Sequence, residues 1–306
     1  MEITIVLEQM FVLFSLMAVG FLLRKFNILS QAGNSILTRL ILVAIMPAAI
    51  ITGVVNTPGG QENLYLLYVL AVSIFVFILM ALLSILVARL TGAKTQEDRG
   101  ALASTGLFGN IAYMGFPLAL ILFGSDSVFY TVLFNLVFNT FALSFGIKLL
   151  TGTGAKLSLR LIFNASMNAS LLAIGLFMLN VSLPPLVTAP LTHLGNMLTP
   201  TGMILLGSIL AEMNPKEILF SWRIYIAIAV KLLIAPLMVF LVLSQFVSSP
   251  LMLGLFVVLA AVPSAPRTAM LAVHYGGNHK LVSQGIFLST ILSIVTIPFL
   301  IYLLAL

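Results

Sequence analysis

Two apolar stretches of this chain are interrupted where an ordinary membrane-spanning helix would run on. The first, FGNIAYMGFPLALILFG at 108–124, carries Gly109-Asn110 and then Gly115 and Pro117. The second, LAAVPSAPRTAMLAVHYG at 259–276, carries Pro263 and Pro266. Proline removes a helical hydrogen bond and glycine weakens the turn, so each stretch is predicted to break at membrane depth. Broken backbone is tolerated in hydrocarbon only where it is packed in protein or lines a cavity. Paired interruptions in the two halves of a chain point to a transporter's binding site.

The membrane setting follows from composition. The 306 residues are 61% hydrophobic and 7% charged, against about 25% charge in a soluble domain. Such a chain has too little polar surface to face water, and it is predicted to be an all-α polytopic protein of the lipid bilayer. The net charge of +6 then reflects loop distribution and not a nucleic-acid partner. Cysteine is absent, which excludes disulfide and thiol chemistry. The opening MEITIVLEQM has no basic leader and is read as the start of the first span.

Breaks in hydropathy give ten spans, at about 4–23, 35–55, 64–89, 100–124, 126–150, 159–180, 187–211, 218–245, 249–274 and 280–305. Each has roughly the 20 residues that a ~30 Å hydrocarbon core needs. The loops after odd-numbered spans, with their flanks, hold Arg24, Lys25, Arg39, Arg89, Lys94, Arg99, Lys148, Lys156, Arg160, Lys216, Arg223 and Lys280. The loops after even-numbered spans hold no basic residue and carry Glu62 and Asp126. The positive-inside rule makes the basic side cytoplasmic and puts both termini outside. Five crossings reverse direction, so a repeat relating 1–155 to 156–306 must be inverted. Ser15-Leu16-x-Ala18-x-Gly20 matches Ser170-Leu171-x-Ala173-x-Gly175, Pro47 lies opposite Pro200, and Gly124 opposite Gly276.

Two charged residues fall well inside spans, Lys231 in the eighth and Arg267 in the ninth. At 1.5 Å per residue they lie ~15 Å and ~12 Å from the cytoplasmic end, and Asn110 lies at ~15 Å. A charge at such depth costs ~2.5–3.5 kcal/mol on insertion scales and by default marks a pathway. The bland alternative is that either side chain snorkels or caps carbonyls freed by a neighbouring break. No Asp or Glu shares this depth, and two positive charges beside half-helix N-termini favour an anionic ligand. Gly109, Asn110, Tyr113, Pro117, Pro263, Ser264, Pro266, Arg267 and Thr268 surround the breaks. Asn135 and Asn139, four apart and on one helix face, either line the cavity or tie helices together. No Walker loop, HExxH or dinucleotide fingerprint is present, and no metal or cofactor site is expected.

These residues resemble a known family. Asn110-x-x-x-x-Gly115-x-Pro117-Leu118 is similar to the auxin efflux carrier family, as are Pro263-Ser264-Ala265 followed by Ala272 and Tyr275-Gly276, the late Pro298, the run from Gly20 to Arg24 and the Met46-Pro47 break. The likeness covers essentially the whole chain without the long central loop of plant members. It resembles a short prokaryotic member of the group often labelled malate or malonate permeases. The resemblance implies the ten-helix inverted-repeat fold of bile-acid-type symporters, with broken helices 4 and 9 crossing at the substrate site. It also implies a scaffold of spans 1, 2, 6 and 7, often a homodimer interface, and a mobile transport domain of spans 3–5 and 8–10. Asn110, Pro117 and Pro263 fall on the family's crossover positions; Lys231 and Arg267 rest on depth alone. The expected function is elevator-type transport of small organic anions across the cytoplasmic membrane, with sodium coupling, an anion channel and an intramembrane enzyme as rivals.

Overall fold

The structure, a computed structural model, describes residues 3–55, 63–152, 164–212 and 222–304. Lys156, Arg160 and Lys216 of the basic loops, and Glu62, lie outside the described residues. Among the described residues the regular structure is helical, with no strand longer than an isolated bridge. The helices in chain order are α1 (Ile3–Lys25), α2 (Gln31–Val55), α3 (Asn63–Leu90), α4 (Gln96–Leu107), α5 (Ile111–Phe123) and α6 (Ser127–Leu150). There follow α7 (Ala165–Met178), α8 (Pro185–Glu212), α9 (Trp222–Leu243), α10 (Pro250–Ala261), α11 (Pro266–Tyr275) and α12 (His279–Leu303).

Seven of these are long and apolar enough to cross a membrane, where hydropathy alone predicts ten spans. Physical causes account for the difference. The fourth and ninth expected spans are each cut in two by their interruptions, leaving α5 and α10 as short apolar pieces. The sixth is shorter because α7 starts at Ala165, from extended Asn164 whose Oδ1 accepts from Met167 N (3.0 Å).

Proline shapes the spans in a recurrent way. Single π turns occupy Ile41–Ile45, Ile111–Gly115 and Val230–Ile234, and each ends two residues before a proline, Pro47, Pro117 or Pro236. In each, the residue just before the proline donates five back: Met46 to Ile41, Phe116 to Ile111 and Ala235 to Val230. A proline lacks an N–H and its ring collides with the carbonyl four residues earlier. One extra residue in the turn moves that carbonyl aside and keeps the remaining bonds. A fourth π turn, Ala142–Gly146, has no such proline.

Packing sorts the helices into two groups. α1 lies along the Leu198–Glu212 half of α8, while α7 and the Pro185–Asn196 half of α8 pack on Met46–Val55 of α2. At the α1–α8 crossing the backbones nearly touch. A Cβ on Gly20 would lie 2.0 Å from the Ile204 carbonyl oxygen, and one on Gly207 would lie 1.8 Å from that of Met17. The ends of the same helices are clasped by polar groups. Ser208 Oγ donates to Asn34 Oδ1 (2.7 Å), Asn34 Nδ2 donates to Glu212 (2.8 Å), and Glu212 pairs with Arg24 (3.2 Å). In the other group α3 packs on α4, α9 on α10, and α12 on both α4 and α11. Gly175, the sequence counterpart of Gly20, has nothing within 4 Å of a notional Cβ, so the matched motif does not make matched contacts.

Candidate functional site

The two interruptions meet. α4 starts from an N-cap at Thr95, whose hydroxyl accepts from Asp98 N (3.1 Å), and it ends at Leu107 because Phe108 turns extended. α10 ends at Ala261, where Val262 takes the extended backbone that a following proline demands. The two extended strips then lie antiparallel, Gly109 opposite Ser264. Asn110 N donates to Pro263 O (2.7 Å), and Ala265 N donates to Phe108 O (2.9 Å). A third helix secures them: Ser264 N donates to Ser289 Oγ on α12 (3.0 Å), and Ser264 Oγ donates to Thr105 O (2.8 Å). Main-chain groups freed by one break are thus satisfied by the other, which is what lets irregular backbone persist in an apolar setting. Phe108 anchors the strip by its side chain, 5.6 Å from the Phe138 ring and 6.3 Å from Phe77.

A side chain at 109 would force its neighbours to shift. A Cβ there would lie 2.7 Å from Val262 Cγ2 and 3.0 Å from Lys231 Nζ. Lys231, in the π turn of α9, therefore ends beside the strip; it is 0% exposed and its Nζ has no hydrogen-bond partner among the described residues. Asn110 Nδ2 is likewise buried and without a partner.

The N-termini of α5 and α11 are not equivalent. Asn110 caps α5, its Oδ1 accepting from Tyr113 N (3.2 Å) and its carbonyl accepting from Met114 and Gly115. α11 begins at Pro266 from Ala265, which makes no side-chain cap. Proline suits the first helical position because its missing N–H is not needed there. Arg267 follows at once, half-buried, and donates from Nη1 to Asn139 Oδ1 (2.8 Å). Tyr113 is buried on the α5 side, in the turn that Asn110 caps.

Gly109, Asn110, Tyr113, Pro263, Ser264, Pro266 and Arg267 are thus brought to one crossing, and Asn139 joins through Arg267. Thr268 is buried in the first turn of α11. Asn135 is buried one turn before Asn139, and the hydrogen bond from Arg267 goes to Asn139 and not to it. Pro117 acts one turn away, by setting the π turn that carries Tyr113. Sequence reasoning expected both half-helix N-termini to favour an anion; at α5 the Asn110 side chain takes up Tyr113 N, while α11 has no side-chain cap. It also offered freed carbonyls as partners for Arg267, whose hydrogen bond instead goes to a side chain. It gave no role to Ser289 or Thr105, although both hold the second break. Neither carries a sequence signal beyond being a hydroxyl residue in an apolar run. No group of three or more His, Cys, Asp or Glu that could hold a metal occurs among the described residues.

The chain matches the membrane transport protein family over residues 5–301. It is 24% identical over 303 residues to an uncharacterized transporter of Methanocaldococcus jannaschii, covering 95% of this chain and 96% of that protein. It is 26% identical over 289 residues to an uncharacterized transporter of Methanothermobacter thermautotrophicus, covering 92% and 93%. An unbroken match from near one end to near the other, on a helical chain whose two broken helices cross, places it with transporters and not with enzymes; the chain belongs to the membrane transport protein family, that of the auxin efflux carriers.

Proposed function

We propose that this protein is a secondary carrier of small organic anions, carboxylates above all, working by elevator-type alternating access in the cytoplasmic membrane. The observation that carries the reading is the character of the crossing. Arg267 stands at the uncapped start of α11 beside Asn139, and the described acids Glu8, Glu97, Asp98, Asp126 and Glu212 all lie within two turns of a helix end. A cation without an acidic neighbour, at a helix N-terminus, suits a carboxylate that arrives from outside the protein. Asn139 steers one face of the guanidinium and leaves its other N–H groups for the ligand.

The architecture we infer is two inverted five-helix repeats, 1–155 and 156–306. Its support is reciprocal packing: α1 on α8 mirrors α7 on α2, and α3 on α4 mirrors α9 on α10. The first, second, sixth and seventh spans form the frame, through which a homodimer would assemble; the rest move with the crossing. Both termini lie outside. Cysteine placed at Ser248 should react with an impermeant external reagent while cysteine at Thr95 should not; the opposite pattern reverses the orientation. The native chain has no cysteine, so the background is clean.

Reconstituted protein tests the function itself. Loading vesicles with unlabelled carboxylate should accelerate entry of the labelled compound, and the rate should saturate. Entry that rises linearly with concentration and ignores internal carboxylate is the signature of a channel and would defeat the carrier reading.

A further inference from the structure

The end of the molecule where basic residues gather carries a cluster that the crossing does not use. α3 stops at Leu90, and Gly92, with a φ of 67°, turns the chain toward α4. The carbonyls freed by that stop form the negative end of a helix dipole, and two guanidinium groups come to the turn. Arg223, in the first turn of α9, donates from Nε to Thr91 O (3.0 Å) and from Nη2 to Gly92 O (3.5 Å). Arg99, in the first turn of α4, donates from Nε to Ala93 O (2.7 Å). Arg89 and Lys94 flank the same turn, and both are exposed. Four cations are thus gathered at one turn and the helix start packed beside it, and each keeps N–H groups that the backbone does not take. Glu97 and Asp98 follow in α4, yet among the described residues no acid lies within ion-pair distance of the four; Asp98 accepts instead from Asn278 Nδ2 (2.7 Å). Toward the membrane the surface turns apolar at once. Leu82, Leu86 and Leu90, on one stripe of α3, are exposed, as are Trp222 and Ile226 of α9. The Arg223 guanidinium lies over the Trp222 ring, 5.7 Å from its centroid.

We propose that the α3–α4 turn and the start of α9 bind an anionic phospholipid, its headgroup phosphate on Arg89, Lys94, Arg99 and Arg223 and its chains on the exposed apolar side chains beside them. Charge complementarity calls for an anion, since four cations stand here without an acidic partner among the described residues. The apolar half calls for a lipid. A dissolved phosphate would use the cations alone and leave Leu86, Leu90 and Trp222 uncovered, whereas a phospholipid meets both halves at once. An indole where charge gives way to hydrocarbon is the usual interfacial anchor. Guanidinium groups already held on backbone carbonyls have less freedom to lose when a headgroup arrives. Basic pockets between helices at the cytoplasmic surface hold acidic headgroups by the same combination.

Trp222 is the one tryptophan of the chain, so its fluorescence reports on this site. The protein is reconstituted in phosphatidylcholine vesicles holding a small fixed fraction of brominated lipid, either phosphatidylglycerol or phosphatidylcholine, and quenching of Trp222 is measured. Brominated phosphatidylglycerol should quench more strongly, and the preference should shrink at high salt. Arg89→Gln with Lys94→Gln removes two exposed cations outside the carbonyl contacts and should weaken association of the acidic lipid about 5–30-fold. Lys25→Gln with Arg39→Gln removes the same charge from exposed positions on α1 and α2 and should leave the preference intact. Equal quenching by the two lipids in the wild type overturns the proposal. So does an equal loss in the two double variants, which is the mark of attraction to overall charge and not of a site. Disappearance of the preference when soluble glycerol phosphate is added in equal amount to the acidic lipid assigns the cations to a free phosphate, and overturns it as well.

Discussion

Arg267→Gln should weaken carboxylate binding by about 10–100-fold, corresponding to ~1.5–3 kcal/mol for a charge-assisted hydrogen bond, while the unfolding temperature stays near that of the wild type. The separation of the two effects comes from where the guanidinium is used. Its hydrogen bond goes to Asn139 Oδ1, not to a main-chain group of either break. The breaks are held by Asn110 N to Pro263 O, Ala265 N to Phe108 O and the Ser264 bonds, all of which survive the substitution. Arg267→Lys should recover only part of the loss, since an ammonium cannot give a planar two-pronged grip on a carboxylate. Ligand titration followed by thermal shift measures both quantities on one sample. Unaltered affinity in a stable Gln variant would assign Arg267 to architecture.

The largest effect on stability is expected at the frame. Gly207→Leu must drive a side chain into the α1 backbone, where even a Cβ would lie 1.8 Å from Met17 O and 2.9 Å from Phe21 N. Backbone cannot yield as a flexible side chain does, so the helices must separate and lose their contact along α1. Overpacking costs of ~1–3 kcal/mol are usual where side chains can adjust, and the cost here should exceed them. Purified Gly207→Leu should melt well below the wild type or fail to fold. Gly175→Ala is the contrast: with nothing within 4 Å of the new methyl, the change should be neutral or raise stability by up to ~1 kcal/mol, since alanine favours helix over glycine. Equal behaviour at 175 and 207 would refute the packing of α1 on α8.

What could be read in the sequence was what periodicity and proline encode. Pro266 reads as a first helical residue, and α11 begins there. Pro263 forces the residue before it extended, which ends α10 one residue earlier, at Ala261. Counting residues along the spans brought Lys231 and Arg267 level with the breaks, and both side chains lie at the crossing or beside it. Orientation within the site could not be read this way. That Asn110 spends its oxygen on Tyr113 N depends on a backbone angle, not on composition. That Ser289 meets Ser264 depends on how α12 lies against two other helices. Gly20 and Gly175 occupy matching sequence motifs, yet one faces a backbone and the other open space, because a motif records residue spacing and not the neighbour across the gap.

The cap at Asn110 carries one more consequence. A free carboxamide can flip, offering oxygen or nitrogen as the visitor demands. Here the oxygen is committed to the turn that starts α5, and the nitrogen is left buried without a hydrogen-bond partner among the described residues. On the site proposed above, the polarity that a ligand would meet at this residue is decided when the helix forms, before any ligand arrives. Selection for an acceptor would in this sense be a property of a helix start, and the same turn that shapes the chain would also refuse a donor.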